Sequence, residues 1–115
     1  MTNNHGKAVQ REILLSFWKI HILHHAREGE VVGHWMLQEL RRHGYDVSPG
    51  TLYPMLHRME KLGWLRCVID PAAGPRARQS YRLTAQGKRV LKVVQRQIRE
   101  LAGEVAVEDR RKGSR

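Results

Sequence analysis

The sequence predicts a mainly α-helical chain with one small β-hairpin and a long C-terminal helix. Three observations support this fold class. Apolar residues recur at steps of three and four in several segments, a spacing typical of amphipathic helices. Two short runs of strand composition flank a loop rich in Gly and Pro. Only four residues, 44–47, separate the second predicted helix from the start signal of the third, so a tight turn must join them.

Composition limits the size, partners and compartment of the protein. Its 115 residues suffice for one modest domain. The 21 Lys and Arg residues against 11 Asp and Glu give a net charge of +10, which favours nucleic acid or an anionic membrane surface as partner. No apolar stretch is long enough to cross a bilayer, and the single cysteine, Cys67, cannot form an internal disulfide. Residues 1–7 have no apolar region with a small-residue cleavage site, so we do not expect secretion. We therefore expect a cytoplasmic protein without a membrane partner.

The first helix is predicted over residues 8–27, after a disordered tail of residues 1–7. Its expected core-facing residues recur at helical spacing, and Leu14 and Leu23 widen this apolar stripe: Val9, Ile13, Phe17, Ile20 and His24. Trp18 lies beside this stripe, and Trp35 follows in the second helix. Flat aromatic effectors stack on such rings at a dimer interface, so Trp18 and Trp35 are candidate effector-binding residues. Core packing is the commoner role for either ring.

The second helix is predicted over residues 34–43, with Gly44 in the position of a left-handed C-cap. Ser48 is a good N-cap for the third helix, residues 49–62, and Pro49 suits the first turn, where its missing N–H costs nothing. Pro54 lies beyond that turn and removes one backbone hydrogen bond, so we expect a slight kink.

Residues 64–70 and 79–83 are the predicted strands of the hairpin. Thr84 is expected to cap the last helix, a dimerisation helix over residues 84–108 that precedes a basic tail, 109–115. Its apolar positions alternate steps of three and four, which is typical of a coiled-coil seam. We predict that this seam joins two copies of the chain through Leu91, Val94, Ile98, Leu101 and Val105. The alternative is that these residues pack on the core of their own domain.

Two helices joined by a tight turn and followed by a basic hairpin describe a winged helix-turn-helix, here residues 8–83. A helix fits the major groove of DNA, and a basic hairpin can contact neighbouring phosphates. The predicted partner is therefore double-stranded DNA.

Two motifs carry a family resemblance. Residues 48–63, SPGTLYPMLHRMEKLG, resemble the recognition-helix signature of the PadR family of bacterial transcriptional regulators. Residues 81–87, YRLTAQG, resemble that family's second wing strand and the start of its dimerisation helix. The resemblance extends from about residue 12 to residue 101. It implies a homodimeric winged-helix repressor, released by a phenolic or other small ligand, in the compact branch with one C-terminal helix. No cofactor is expected.

The candidate DNA contacts on the third helix are its polar positions outside the apolar stripe: Ser48, Thr51, Tyr53, His57, Arg58 and Lys61. The N-terminus of a helix favours a phosphate, and the resemblance places Tyr53 against DNA. Three alternatives stay open: Ser48 and Thr51 only cap the helix, Tyr53 packs its ring, and Arg58 pairs with a carboxylate of its own domain.

In the wing, Arg76 and Arg78 are the expected phosphate contacts, with Arg66 and Arg82 as further candidates. Dimerisation would set two third helices roughly 34 Å apart, one turn of DNA, which matches a pseudo-palindromic operator.

His21, His24 and His25 form the one cluster that suggests a metal, because His21 and His25 share a helix face. The sequence shows no third ligand of Cys or Asp type nearby, and histidines at a helix C-terminus are more often explained by the dipole, so no metal ligand is assigned. A metal-responsive repressor and a nonspecific nucleic-acid-binding protein are the alternatives. We predict that the protein is not an enzyme, because its sequence shows no nucleophile–base pair and no phosphate-binding loop.

Overall fold

The computed structural model describes residues 2–69, 72 and 79–113, and the side chains between residues 6 and 106 within those ranges. Arg76 and Arg78 lie outside the described residues. The helices and strands follow the order helix, strand, two helices, two strands, helix, in which the first helical segment has three consecutive parts. This order confirms the predicted fold class.

The N-terminal helical segment comprises α1 (Thr2–Val9), a π-helical turn (Gln10–Leu14) and α2 (Leu15–Glu28). The residues expected as a disordered tail are thus helical from Thr2. The predicted core stripe is wrong in part: Ile13 and Phe17 are exposed, whereas Leu23 is buried and Leu14 packs against the core. Both sides of this segment carry apolar side chains, and a π turn changes the angular register between the residues before and after it, so spacing alone did not identify the buried face. The buried residues of α2 are Trp18, Ile22, Leu23 and Ala26.

The helix-turn-helix consists of α3 (Gly33–Arg42) and α4 (Pro49–Lys61). Gly44 adopts a φ of 92°, and its N–H donates to the Arg41 carbonyl at 2.9 Å, which confirms the glycine stop after α3. Ser48 is the N-cap residue of α4 with an extended backbone, but its side chain makes no capping hydrogen bond to the backbone.

The sheet has three strands, β1 (Val31–Val32), β2 (Leu65–Val68) and β3 (Ser80–Leu83), in the antiparallel order β1-β3-β2. The predicted hairpin is present as β2 and β3. The two residues of β1 pair with the outer edge of β3, with Val31 opposite Tyr81. This strand ties the end of α2 to the wing.

The last helix is α5 (Ala85–Gly113), and Thr84 caps it: the Gly87 N–H donates to Thr84 Oγ1 at 2.9 Å. Leu91 is buried in the core of its own chain, so the prediction that it lies in an intermolecular seam is wrong. None of the helices in the described ranges combines the length and the apolar character that crossing a membrane requires. The largest fully buried side chains come from all the main elements: Trp18, Ile22, Met36, Leu40, Leu52, Leu56, Met59, Leu65, Tyr81 and Leu91.

Candidate nucleic-acid interface

The outer face of α4 carries a stripe of exposed polar side chains. One face of the helix is buried against the core through Leu52, Met55, Leu56 and Met59. His57, Arg58 and Lys61 project from the other side and are exposed. The side chains of Arg58 and Lys61 have no hydrogen-bond or ion-pair partner within the part of the chain that the structure describes. The alternative in which Arg58 pairs with a carboxylate of its own domain is therefore not observed, and both cations face outward.

The N-terminus of α4 is also open. Ser48 is exposed, and its hydroxyl lies 3.3 Å from the hydroxyl of Thr51. The N–H groups of Thr51 and Leu52 both donate to the Ser48 carbonyl at 3.0 Å, so the backbone itself closes the first turn. The two hydroxyls remain beside the positive end of a 13-residue helix, where a phosphate oxygen is stabilised.

Tyr53 is half-buried and packs over the start of α3. A Cβ atom added at Gly33 would lie 2.7 Å from Tyr53 Cε1 and 3.2 Å from its hydroxyl, so the ring lies directly over this glycine. The packing role foreseen for the ring is thus present. Contact of its hydroxyl with DNA stays a prediction.

In the sheet, Arg66 and Arg82 stand opposite each other in the β2–β3 register, and both are exposed. Arg82 donates from Nε and Nη2 to Glu30 Oε2, at 3.1 Å each. Hydrogen bonds from Ser80 and Arg82 lower the pKa of Glu30, which keeps this carboxylate charged. Arg82 is therefore paired with an acid far away in sequence, whereas Arg66 has no ion-pair partner among the described residues.

Arg41 positions the turn before α4, a role that sequence reasoning missed. Its Nε donates to the Val47 carbonyl at 3.0 Å. Val47 is buried, so this bond fixes the backbone directly before the N-cap of α4. A basic residue near the end of a helix is so common that the sequence carried no distinctive signal for it.

A layer of histidines lies between α2 and the end of α3. His21, His25 and His43, hereafter the histidine cluster, place one ring nitrogen each within 4.8 Å of the others. Sequence reasoning had grouped His21 with His24 and His25. The structure instead brings in His43, whose ring centroid is 4.8 Å from that of His21. His24 belongs to a separate, more exposed group with His25 and Glu28.

Glu39 lies beside this cluster. Its Oε2 is 3.1 Å from His43 Nε2 and 3.4 Å from His25 Nε2, and its side chain is only 10% exposed. Hydrogen bonds from Arg42 lower the pKa of Glu39 to about 2, with a further contribution from His43. Burial lowers the pKa of His21, and the neighbouring His43 and His25 add to the effect.

The two tryptophans proposed as effector residues differ sharply. Trp18 is 0% exposed and enclosed by the core, so it offers no free ring face. The prediction that Trp18 binds an effector is therefore wrong. Trp35 is 47% exposed and meets the edge of the His25 ring at a centroid distance of 5.2 Å. It lines an open groove of about 690 Å³ between the end of α2, β1 and the start of α3. Of these two rings, Trp35 is the one that is exposed to solvent.

The outer part of α5 carries apolar side chains that the chain itself does not cover. Val94 is half-buried, whereas Ile98, Leu101 and Val105 are exposed. Phe17 is a further exposed apolar residue on α2, the helix that packs against α5. The predicted seam therefore begins inside the domain at Leu91 and continues as an uncovered surface.

Comparison with known proteins gives consistent results. The family model for the transcriptional regulator PadR-like family matches residues 22–93. The transcriptional regulator Rv3488 of Mycobacterium tuberculosis is 50% identical over 98 residues, which span 83% of this chain and 88% of that protein. Among solved structures, a Streptococcus transcriptional regulator superposes with a TM-score of 0.73 at 26% identity, covering 85% of this chain and 97% of that one. A PadR family regulator from Eggerthella lenta gives 0.68 at 28% identity, with 89% and 93% covered.

Proposed function

Because the chain belongs to the PadR-like family of transcriptional regulators, we propose that it acts as a homodimeric repressor of a pseudo-palindromic DNA operator. The observation that carries this proposal is the exposed cationic stripe on α4, the second helix of the helix-turn-helix. A regulator of this kind works where the chromosome is, so we place it in the cytoplasm.

The proposed docking places α4 in the major groove. His57, Arg58 and Lys61 would face base edges and phosphates, while the Ser48 and Thr51 hydroxyls would contact a phosphate at the helix N-terminus. Arg66 would contact an adjacent phosphate from the wing. The bond from Arg41 to the Val47 carbonyl would hold the turn in the conformation that presents α4.

The dimer would form through the uncovered residues Ile98, Leu101 and Val105 of α5, with Phe17 of α2 beside them. An amphipathic helix with an unpaired apolar stripe is stabilised when a second copy covers that stripe. A two-fold axis then presents two α4 helices to the same side of the duplex, about one helical turn apart.

We expect the double substitution Arg58→Ala/Lys61→Ala to weaken DNA binding at least tenfold. Each phosphate contact contributes to the salt dependence, so the slope of log affinity against log salt should fall by about 0.9 for each contact removed. Fluorescence anisotropy with a duplex selected from a random library, titrated at several salt concentrations, measures both quantities. Lys92→Ala removes an exposed cation from α5 and is the matched control, for which we expect little change.

The same selection distinguishes this function from nonspecific nucleic-acid binding. An operator-binding regulator enriches a sequence with two-fold symmetry and binds it far more tightly than random duplex. Equal affinity for selected and random duplex would overturn the repressor proposal in favour of the nonspecific alternative. An unchanged salt slope for the double variant would show that the outer face of α4 does not contact phosphates.

We further propose that a flat aromatic ligand binds in the groove beside Trp35 and lowers operator affinity. The exposed ring and its apolar neighbours Val31 and Val32 suit such a molecule. Titration with a phenolic acid should quench tryptophan fluorescence in the native chain and not in Trp35→Leu. Equal quenching in both proteins would exclude this groove as the effector site.

A further inference from the structure

The histidine cluster joins two helices that are distant in sequence. His21 and His25 lie one turn apart on α2, and His43 is the C-cap residue directly after α3. One nitrogen from each ring lies within 4.8 Å of the other two. His21 and His25 are half-buried, and His43 is exposed at the mouth of the cluster.

We propose that His21, His25 and His43 form a binding site for a divalent zinc-class metal ion, with Glu39 orienting the imidazoles. Imidazole nitrogen is a ligand that Zn²⁺ and Co²⁺ accept readily. A Zn–N bond is about 2.0–2.1 Å long, so ligand atoms within 4.8 Å of one another need only side-chain rotations to close on one ion. Three protein ligands leave the fourth tetrahedral position for water or another ligand.

Glu39 supplies the support that such sites require. A metal-bound histidine donates its second N–H to a carboxylate, which fixes the ring and raises its basicity. Glu39 Oε2 is already 3.1 Å from His43 Nε2 and 3.4 Å from His25 Nε2. Arg42 Nη2 holds the same oxygen at 2.8 Å, so this carboxylate remains charged and in place.

An ion bound at this position would link α2 to the end of α3. The turn that leads to α4 follows directly after His43. In this turn, the hydroxyl of Tyr45 lies 3.4 Å from His21 Nε2. Metal binding would therefore restrict the turn before the proposed recognition helix. This effect on operator affinity rests on the proposed function, whereas metal binding itself does not depend on it.

The test is calorimetric titration of the full chain with Zn²⁺ after removal of metals by a chelator. We expect one Zn²⁺ per chain, a loss of at least tenfold in affinity for His21→Gln and for His43→Gln, and a loss of about 10–100-fold for Glu39→Gln. Titration with Co²⁺ should give the visible absorption of a tetrahedral site. His34→Gln, an exposed histidine of α3 outside the cluster, is the matched control and should bind like the native chain.

Two further variants keep the test decisive. His43→Cys restores a metal ligand at the same position, so recovery of Zn²⁺ binding separates loss of a ligand from loss of structure. His24→Gln tests the neighbouring group of His24, His25 and Glu28. No Zn²⁺ binding by the native chain, native affinity in His43→Gln, or a greater loss in His24→Gln than in His43→Gln would each overturn the proposal, whatever the DNA experiments show.

Discussion

Gly87→Ala should destabilise the protein by roughly 2 kcal/mol or more, one of the largest effects of any single methyl group in the described chain. Gly87 lies in the first turn of α5, where the helix crosses the strand that begins the wing. A Cβ atom at this position would be 2.2 Å from the Trp64 carbonyl oxygen and 2.6 Å from Leu83 Cδ1. These distances are far below van der Waals contact, so the structure must shift.

The Trp64 carbonyl cannot easily move away. It accepts a hydrogen bond from the Thr84 N–H at 3.1 Å, and the Trp64 N–H donates to the Met59 carbonyl at 3.0 Å. Thr84 is also the N-cap of α5 and donates its hydroxyl hydrogen to the Gly63 carbonyl. A displacement of α5 would therefore strain the cap, the end of α4 and β2 together. Overpacking of this kind costs about 1–3 kcal/mol or more.

Urea unfolding followed by circular dichroism measures this effect. An alanine in a helix interior gains about 1 kcal/mol over glycine, which partly offsets the clash at Gly87. Gly103→Ala is the matched control, because no atom lies within 4 Å of a Cβ there, and it should leave stability unchanged or raise it. If Gly87→Ala unfolds at the urea concentration of the native chain, the close approach of α5 to Trp64 is wrong.

The sequence predicted the elements whose signals are local. Gly44 ends α3 because a left-handed backbone is needed there, and Thr84 caps α5 through its own hydroxyl. The Ser-Pro pair correctly marked the start of α4, although Ser48 acts through its backbone conformation and not through a side-chain cap. Each of these features depends on residues within a few positions, which is the range that sequence patterns describe.

The features that the sequence did not predict depend on contacts between distant residues. The pairing of β1 with β3, the Glu30–Arg82 ion pair and the approach of His43 to His21 all join segments at least twenty positions apart. The buried face of α2 was ambiguous for a different reason, since apolar residues lie on more than one side of it. The exposed side is the one that a second copy of the chain can cover.

Leu101→Asp should convert the proposed dimer into a monomer and reduce operator affinity by about 10²–10⁴-fold, the loss expected when two linked binding events become one. Leu101 is 57% exposed in the single chain, so the substitution removes nothing from the core. In a dimer, the aspartate would place an unpaired charge in an apolar seam, which is strongly unfavourable. Analytical ultracentrifugation measures the state of association, and anisotropy with the selected duplex measures operator affinity.

Val93→Asp is the matched control for this prediction. Val93 is 54% exposed, and at 3.6 residues per turn it lies about 100° from Val94, outside the stripe of Ile98, Leu101 and Val105. This variant should remain a dimer and bind the operator normally. Dissociation by Val93→Asp combined with an intact Leu101→Asp dimer would place the interface on a different face of α5.

A duplex containing a single half-site separates loss of dimerisation from damage to the DNA-binding surface. Leu101 is remote in the chain from α4 and makes no contribution to its buried face. The monomeric variant should therefore bind one half-site at low salt as well as a native protomer does, while it loses the gain that the native dimer obtains from the second half-site. An intact α4 with its exposed Arg58 and Lys61 should retain every DNA contact of one protomer. Weak binding of the variant to the half-site would therefore mean that α5 also supports the recognition helix.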